Sequence, residues 1–196
     1  MDTLSTLASP VDGRDHSRGS TESPVVVVEY GDYECPQSAR TYHLLKRLLG
    51  EKPEMVRLVF RNFPLTQIRP HALPAALAAE AASMQNSFWE MHDILFEHQD
   101  GLEPEHLIVY AQVLGLDIER LIIDMTSDLA AARVREDFVS GIRSGVNGTP
   151  SLYINGTRYD GAQDYESLTS AITEAANPKE SDAKSAAARR HASSRL

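Results

Sequence analysis

Residues 25–38, VVVVEYGDYECPQS, join a β-branched apolar run to a turn and then to Cys35, the single cysteine of the chain. A continuous run of valines is typical of a central strand that is covered on both faces of its sheet. Apolar residues then recur at helical spacing up to Gly50. In residues 55–62 (MVRLVFRN) apolar and polar residues alternate, which predicts a second strand. This order predicts a βαβ unit with parallel strands and with Cys35 at the start of its helix.

The second half of the chain changes from strands to helices and back. From Ala72 to about Gly145 every clear apolar period is helical. Two short strand patterns, 151–154 and 157–159, then flank Asn155-Gly156, which is a strong hairpin signal. A final amphipathic pattern covers residues 164–176. We therefore predict an α/β fold in the order βαβ, helical block, ββα.

Both ends of the chain differ in composition from the middle. Residues 1–23 are rich in Ser, Thr, Asp and Gly without an apolar period, so we expect a disordered arm. Residues 177–196 have the same character and predict a disordered tail. Between them, residues 24–176 form one predicted domain, with a helical insertion at about 70–145.

Composition limits the classes of function. The 196 residues carry a formal net charge of −9, which argues against a nucleic-acid partner because phosphate contacts need a basic face. The apolar run 25–28 is far too short to span a bilayer, and residues 1–23 lack the pattern of a secretory signal. We expect a cytoplasmic protein that is a monomer or weak dimer and has no membrane partner.

Histidine and glutamate residues between positions 90 and 98 raise the question of a metal site. His92 and His98 are six positions apart, which places them on opposed faces of the predicted helix, and no HExxH motif is present. We interpret this helix side as solvated, and we expect no metal.

Four stretches carry a family resemblance: VVVVEYGDYECP, RNFPLTQIRPHALPAALAAEAA, FWEMHDILFEHQ and GVNGTPSLYINGTRYDGAQDYESLTSAI. They resemble the DsbA-like family of thiol–disulfide oxidoreductases over roughly residues 24–175. The resemblance implies the thioredoxin fold (βαβ…ββα) with an inserted all-helical subdomain, Cys35 as the nucleophile, and a cis Thr149–Pro150 bond facing it. One departure is clear. The family motif C-P-x-C is Cys35-Pro36-Gln37-Ser38 here.

The start of a helix suits a reactive thiol. Unpaired N–H groups and the positive end of the helix dipole stabilise a thiolate at Cys35, and Pro36 in the first turn loses no helix hydrogen bond. Ser38, one turn further on, is expected to donate its hydroxyl to the sulfur. The predicted catalytic residues are Cys35 and Ser38, and the predicted supporting residues are Pro36, Gln37, Thr149 and Pro150.

The change at position 38 decides the predicted function. Ser38 forms no disulfide, so an external thiol such as glutathione must release a mixed disulfide from Cys35. We therefore expect a monothiol oxidoreductase that acts on protein or peptide thiols and disulfides, with glutathione as co-substrate and no tightly bound cofactor. Two alternatives stay open: a redox-inactive peptide-binding module, and a glutathione transferase or isomerase variant.

Overall fold

The computed structural model describes residues 6–177, which contain one five-stranded sheet in the order β1-β3-β2-β4-β5. The strands are β1 (His16–Arg18), β2 (Val25–Gly31), β3 (Val56–Asn62), β4 (Ser151–Ile154) and β5 (Thr157–Tyr159). Strands β2 and β3 are parallel and the other pairs are antiparallel. The parallel pair and the β4–β5 hairpin confirm the sequence prediction.

Seven helices occur in the described range. They are α1 (Pro36–Glu51), α2 (Ala72–Ser83), α3 (Phe88–Glu97), α4 (Pro104–Val113), α5 (Ile118–Met125), α6 (Asp128–Ser144) and α7 (Tyr165–Ala176). Helices α2–α6 lie between β3 and β4 in the chain, so the inserted helical block of the predicted α/β fold is confirmed. Within residues 6–177, no helix is both long and apolar enough to cross a membrane.

Alternate residues of β2 face two different cores. Val25 and Val27 pack with Leu45 of α1 and with α7 on one face of the sheet. Val28 and Tyr30 point to the opposite face and pack against α6, where the Tyr30 hydroxyl lies 2.8 Å from the Ser140 hydroxyl. Because side chains alternate along a strand, Val25 and Val27 lie on the face of β2 that packs against α1.

The predicted disordered arm is wrong for residues 6–23. This segment contains β1, which pairs with β3 at the edge of the sheet. Asp15 forms a buried ion pair with Arg61 at 2.8 Å, and His16 Nε2 lies 2.9 Å from the Glu80 carboxylate. The segment has no apolar period because it binds the domain through backbone pairing and charges. Residues 1–5 and 178–196, including nearly all of the predicted tail, lie outside the described residues.

The interpretation of the 90–98 helix side as solvated is wrong for His92. This side chain is buried on α3 among aromatic rings, with Nδ1 3.1 Å from the Tyr33 hydroxyl. Burial lowers the pKa of His92 well below its usual range, so the ring is neutral. The histidine is part of the core between α3 and the sheet.

Candidate active site around Cys35

Cys35 is the residue that immediately precedes α1, and Pro36 is the first helical residue. The Cys35 amide donates to the Asp32 carbonyl at 3.0 Å. The Cys35 carbonyl accepts from the Ala39 amide at 3.1 Å and from the Gln99 side-chain amide at 3.0 Å. These bonds fix the turn on both sides of the thiol. The cysteine itself has no exposed surface.

Two oxygen atoms contact the sulfur. Cys35 Sγ lies 3.2 Å from the carbonyl oxygen of Thr149 and 3.4 Å from Oε1 of Gln37. The Thr149–Pro150 bond is cis, so the structure brings this dipeptide to Cys35 as the resemblance implied. Each oxygen can accept a hydrogen bond from the Cys35 thiol, but neither can donate a hydrogen bond to a thiolate. Formation of the thiolate therefore favours rotation of the Gln37 amide, which turns its NH₂ group toward the sulfur.

Ser38 is buried on α1, where its hydroxyl oxygen accepts from the Asp32 amide at 3.4 Å. Among the described residues this amide is its hydrogen-bond partner, so the expected bond from the hydroxyl to the Cys35 sulfur is absent. Ser38 supports the turn that precedes the helix. This hydrogen bond links α1 to the turn that precedes it, and the link does not require a second thiol.

A functional group that the sequence prediction missed is Glu29. It lies on β2 on the same side as Val27, is fully buried under α1, and has an Oε1 atom without a hydrogen-bond partner. Burial, with a smaller contribution from the charge of Cys35, raises its pKa from 4.5 to about 8. The signal was present in the sequence. Glu29 is the single charged residue in the run VVVVEYG.

A small gap lies next to Glu29. Its volume is about 10 Å³, and its lining includes Lys46, His92 and Asp93. This volume is close to the minimum that one water molecule requires. Lys46 is partly exposed and lies 3.5 Å from Asp93. The gap is thus lined both by the buried Glu29 and by the charged residues Lys46 and Asp93.

The loop between β3 and α2 is attached directly to the cysteine turn. The Asp32 carboxylate accepts from the Glu34 amide and from the Leu65 amide, both at 2.9 Å. The Glu34 carboxylate accepts from the His71 amide at 2.7 Å and lies 3.2 Å from the His71 ring. These bonds hold the loop beside the thiol. They also engage the carboxylate of Glu34, the residue next to Cys35 in sequence.

The thioredoxin family model matches residues 12–174. The chain belongs to the thioredoxin family. The match begins before β1, so residues 12–23 of the segment that the sequence prediction treated as disordered lie within the family domain.

Solved structures of thioredoxin-family proteins share the fold. A thioredoxin-like oxidoreductase from Silicibacter pomeroyi is 29% identical, with a TM-score of 0.76 over 84% of this chain and 93% of that one. BdbD from Bacillus subtilis is 24% identical, with a TM-score of 0.76 over 88% and 98% of the two chains. The thiol–disulfide exchange protein α-DsbA2 from Wolbachia pipientis is 22% identical, with a TM-score of 0.74 over 83% and 88%. The DsbA-like thioredoxin fold is confirmed.

Curated relatives of this thioredoxin-family chain carry the name of a membrane transporter. A Na⁺/H⁺ antiporter NhaA 1 of Salinispora arenicola is 44% identical over 170 residues, which are 86% of this chain and 26% of that protein. A Na⁺/H⁺ antiporter NhaA 1 of Mycolicibacterium vanbaalenii is 40% identical over 169 residues, which are 85% of this chain and 27% of that protein. The chain thus spans about a quarter of the length of the curated relatives it matches.

Proposed function

We propose that this protein is a monothiol thiol–disulfide oxidoreductase in which Cys35 is the nucleophile. One observation carries the proposal: the single thiol lies at the start of α1, in contact with the Thr149 carbonyl and near the buried Glu29 carboxyl group. A thiol at a helix N-terminus is stabilised as the attacking thiolate. A neighbouring buried carboxylate supplies a group that can take its proton.

The first step is exchange at a substrate disulfide. The Cys35 thiolate attacks one sulfur of the substrate, the substrate S–S bond breaks, and the second sulfur leaves as a thiolate. A mixed disulfide between Cys35 and the first sulfur results. No net oxidation occurs in this step, because one disulfide replaces another.

Glu29 is suited to accept the thiol proton. Its pKa of about 8 and its unpartnered oxygen allow both protonation states near neutral pH. In the described structure no direct hydrogen bond joins the Cys35 thiol to Glu29, so transfer of the thiol proton to an ionised Glu29, and its return to a leaving thiolate, requires one intervening water molecule. General acid–base catalysis is most effective when the pKa lies near the working pH.

Resolution requires a second molecule. Ser38 cannot attack the mixed disulfide, so the thiolate of an external thiol such as glutathione must attack it instead. That attack forms a new disulfide with the bound group and releases Cys35 as a thiolate. We propose a cytoplasmic setting, because a pool of reduced thiols is maintained there.

An apolar groove next to the site supports a protein or peptide substrate. Between the β3–α2 loop and α6 lies a cavity of about 380 Å³, whose lining includes Leu65, Ile68, Ile142 and Asn147. Leu65 bonds to the cysteine turn, and Asn147 is two residues before Thr149. Two of the lining residues thus lie on segments that contact the cysteine turn or lead to Thr149. We propose that an extended apolar segment of the substrate occupies this groove.

Oxidised glutathione tests the proposed exchange. Intact mass after incubation should show one glutathione per chain, and peptide mapping should locate it at Cys35. Release should depend on the concentration of added thiol. The Cys35→Ser variant should take up none, and Ser38→Ala should retain the adduct. A native protein that forms no adduct, while the unfolded chain does, contradicts the proposal.

A second candidate is a redox-inactive peptide-binding module. The observation that favours it is the complete burial of Cys35 in the described structure. In that case the groove binds peptides and the thiol is inert. The same experiment separates the two, because the module would bind an apolar peptide without forming an adduct with glutathione.

A further inference from the structure

A second cavity lies away from the cysteine, between the N-terminal segment, β3 and α6. Its volume is about 320 Å³. Five arginine side chains line it: Arg14, Arg61, Arg133, Arg135 and Arg143. The whole chain carries a net charge of −9, so this concentration of guanidinium groups is a local reversal of sign. The ordered N-terminal segment closes one side, since Arg61 donates to the carbonyls of Ser9 and Pro10.

The carboxylates of the cavity are already paired. Four of them line it: Asp12, Asp15, Glu136 and Asp137. Each lies within 3.4 Å of a guanidinium nitrogen of Arg14, Arg61 or Arg133. Within residues 6–177, Arg135 and Arg143 form no ion pair with these carboxylates. These two exposed side chains therefore bring positive charge to the cavity without an internal counterion.

The donors that the cavity offers to a ligand are those of guanidinium groups, and Arg135 and Arg143 are exposed. A guanidinium group binds phosphate and carboxylate oxygens through paired N–H donors, and it accepts no hydrogen bonds. Burial raises the pKa of the adjacent Asp137 to about 7, so part of its negative charge is absent near neutral pH. The cavity is therefore matched to an anion that accepts hydrogen bonds.

We propose that this cavity binds a small oxyanion ligand that carries at least two phosphate or carboxylate groups. Arg135 and Arg143 are eight residues apart on α6, which is about 12 Å along a helix axis. A ligand that engages both needs anionic groups at two positions. The site lies outside the thiol chemistry and does not depend on it.

Calorimetric titration tests this site. The probes are pyrophosphate and succinate, each against sodium chloride at matched ionic strength. Saturable binding of at least one probe is expected, and the preferred probe identifies the ligand as a phosphate or a carboxylate. The Arg135→Ala/Arg143→Ala double variant should bind it at least about 10-fold more weakly, because two charge-assisted contacts are lost.

The matched control is Arg40→Ala/Arg47→Ala, which removes the same charge from exposed positions on α1. It should retain the affinity of the parent. Arg135 and Arg143 are exposed, so their removal should leave the thermal unfolding midpoint in the absence of anions unchanged. Absence of saturable binding by both probes overturns the proposal. Equal weakening in the two double variants also overturns it, since that result shows a general charge effect.

Discussion

Cys35 Sγ lies 3.2 Å from the carbonyl oxygen of Thr149, although the two residues are 114 positions apart in the chain. This contact joins the start of α1 to the segment that enters β4. A thiol can donate to that carbonyl, whereas a thiolate has no proton to donate. The other neighbour of the sulfur, Gln37, can supply either an acceptor or a donor from its side-chain amide.

Replacing Gln37 by glutamate tests the influence of this amide on the Cys35 thiol. The side chain keeps its size but loses its NH₂ donors and gains a negative charge next to the sulfur, which disfavours the thiolate. Alkylation of Cys35 at pH 7 should slow several-fold, as measured by intact mass against time. Gln112→Glu, at an exposed position on α4, should react at the parent rate. An unchanged rate in Gln37→Glu would show that this amide does not face the reactive sulfur.

Introducing a second thiol at position 38 should restore an internal disulfide. Ser38 is buried one turn from Cys35, and residues three apart on a helix are neighbours. Under mild oxidation Ser38→Cys should lose two thiols by titration, and it should gain dithiol turnover with a protein disulfide substrate. Ser38→Ala is the control and should remain a monothiol. Failure to form the 35–38 disulfide while both thiols react would mean that the turn differs from that of two-cysteine relatives.

Glu29 should make folding stability depend on pH. Below about pH 4.5 its carboxyl group is protonated in both the folded and the unfolded chain. Between about 4.5 and 8 the unfolded chain ionises while the folded chain stays protonated, so rising pH destabilises the folded state. The resulting loss in the free energy of unfolding is on the order of a few kcal/mol and is complete above about pH 8. The Glu29→Gln variant should lack this pH-dependent loss of stability.

Urea unfolding at pH 5 and pH 8 measures the difference between Glu29→Gln and the parent. The comparison cancels the contribution of Asp137, whose raised pKa is common to both proteins. Glu90→Gln, at an exposed position on α3, should follow the parent at both values of pH. If the stability difference between Glu29→Gln and the parent is the same at pH 5 and pH 8, Glu29 is ionised in the folded protein.

The N-terminal segment should be necessary for stability. Asp15→Ala leaves Arg61 buried without its carboxylate partner, and removing one member of a buried ion pair costs about 3–5 kcal/mol. Asp12→Ala is the matched control, because Asp12 and its partner Arg14 are both exposed, and its unfolding midpoint should change little. A similar small effect in both variants would mean that residues 6–23 contribute little to folding.

The apolar groove should affect the turnover of protein substrates but not the reaction of Cys35 with oxidised glutathione. Ile142→Asp places a charge in the lining of the groove, where 54% of this side chain is exposed. Turnover with an unfolded disulfide-containing protein should fall, whereas adduct formation with oxidised glutathione should not change. Ile123→Asp is the control, because Ile123 is 66% exposed on α5 outside the groove lining. Equal loss of turnover in both variants would remove the groove from the proposed substrate site.

The order of strands and helices could be predicted because it depends on local patterns. The valine run, the alternation of residues 55–62 and the Asn155-Gly156 turn each specify backbone geometry through neighbouring residues. The first strand could not be found in this way. Residues 16–18 gain their stability from pairing with β3 and from contacts with distant residues, such as the ion pair between Arg18 and Asp93, and no local period records such contacts.

Residue identity and local pattern were enough to predict that the chain has one thiol, that this thiol precedes a helix, and that no internal cysteine can resolve a mixed disulfide. The packing of distant segments was needed to bury Glu29 and to direct the Ser38 hydroxyl to the Asp32 amide. The physical reason is that composition and spacing fix which groups are present. Burial and hydrogen-bond partners, which decide the protonation state and the role of each group, arise only when distant segments pack together.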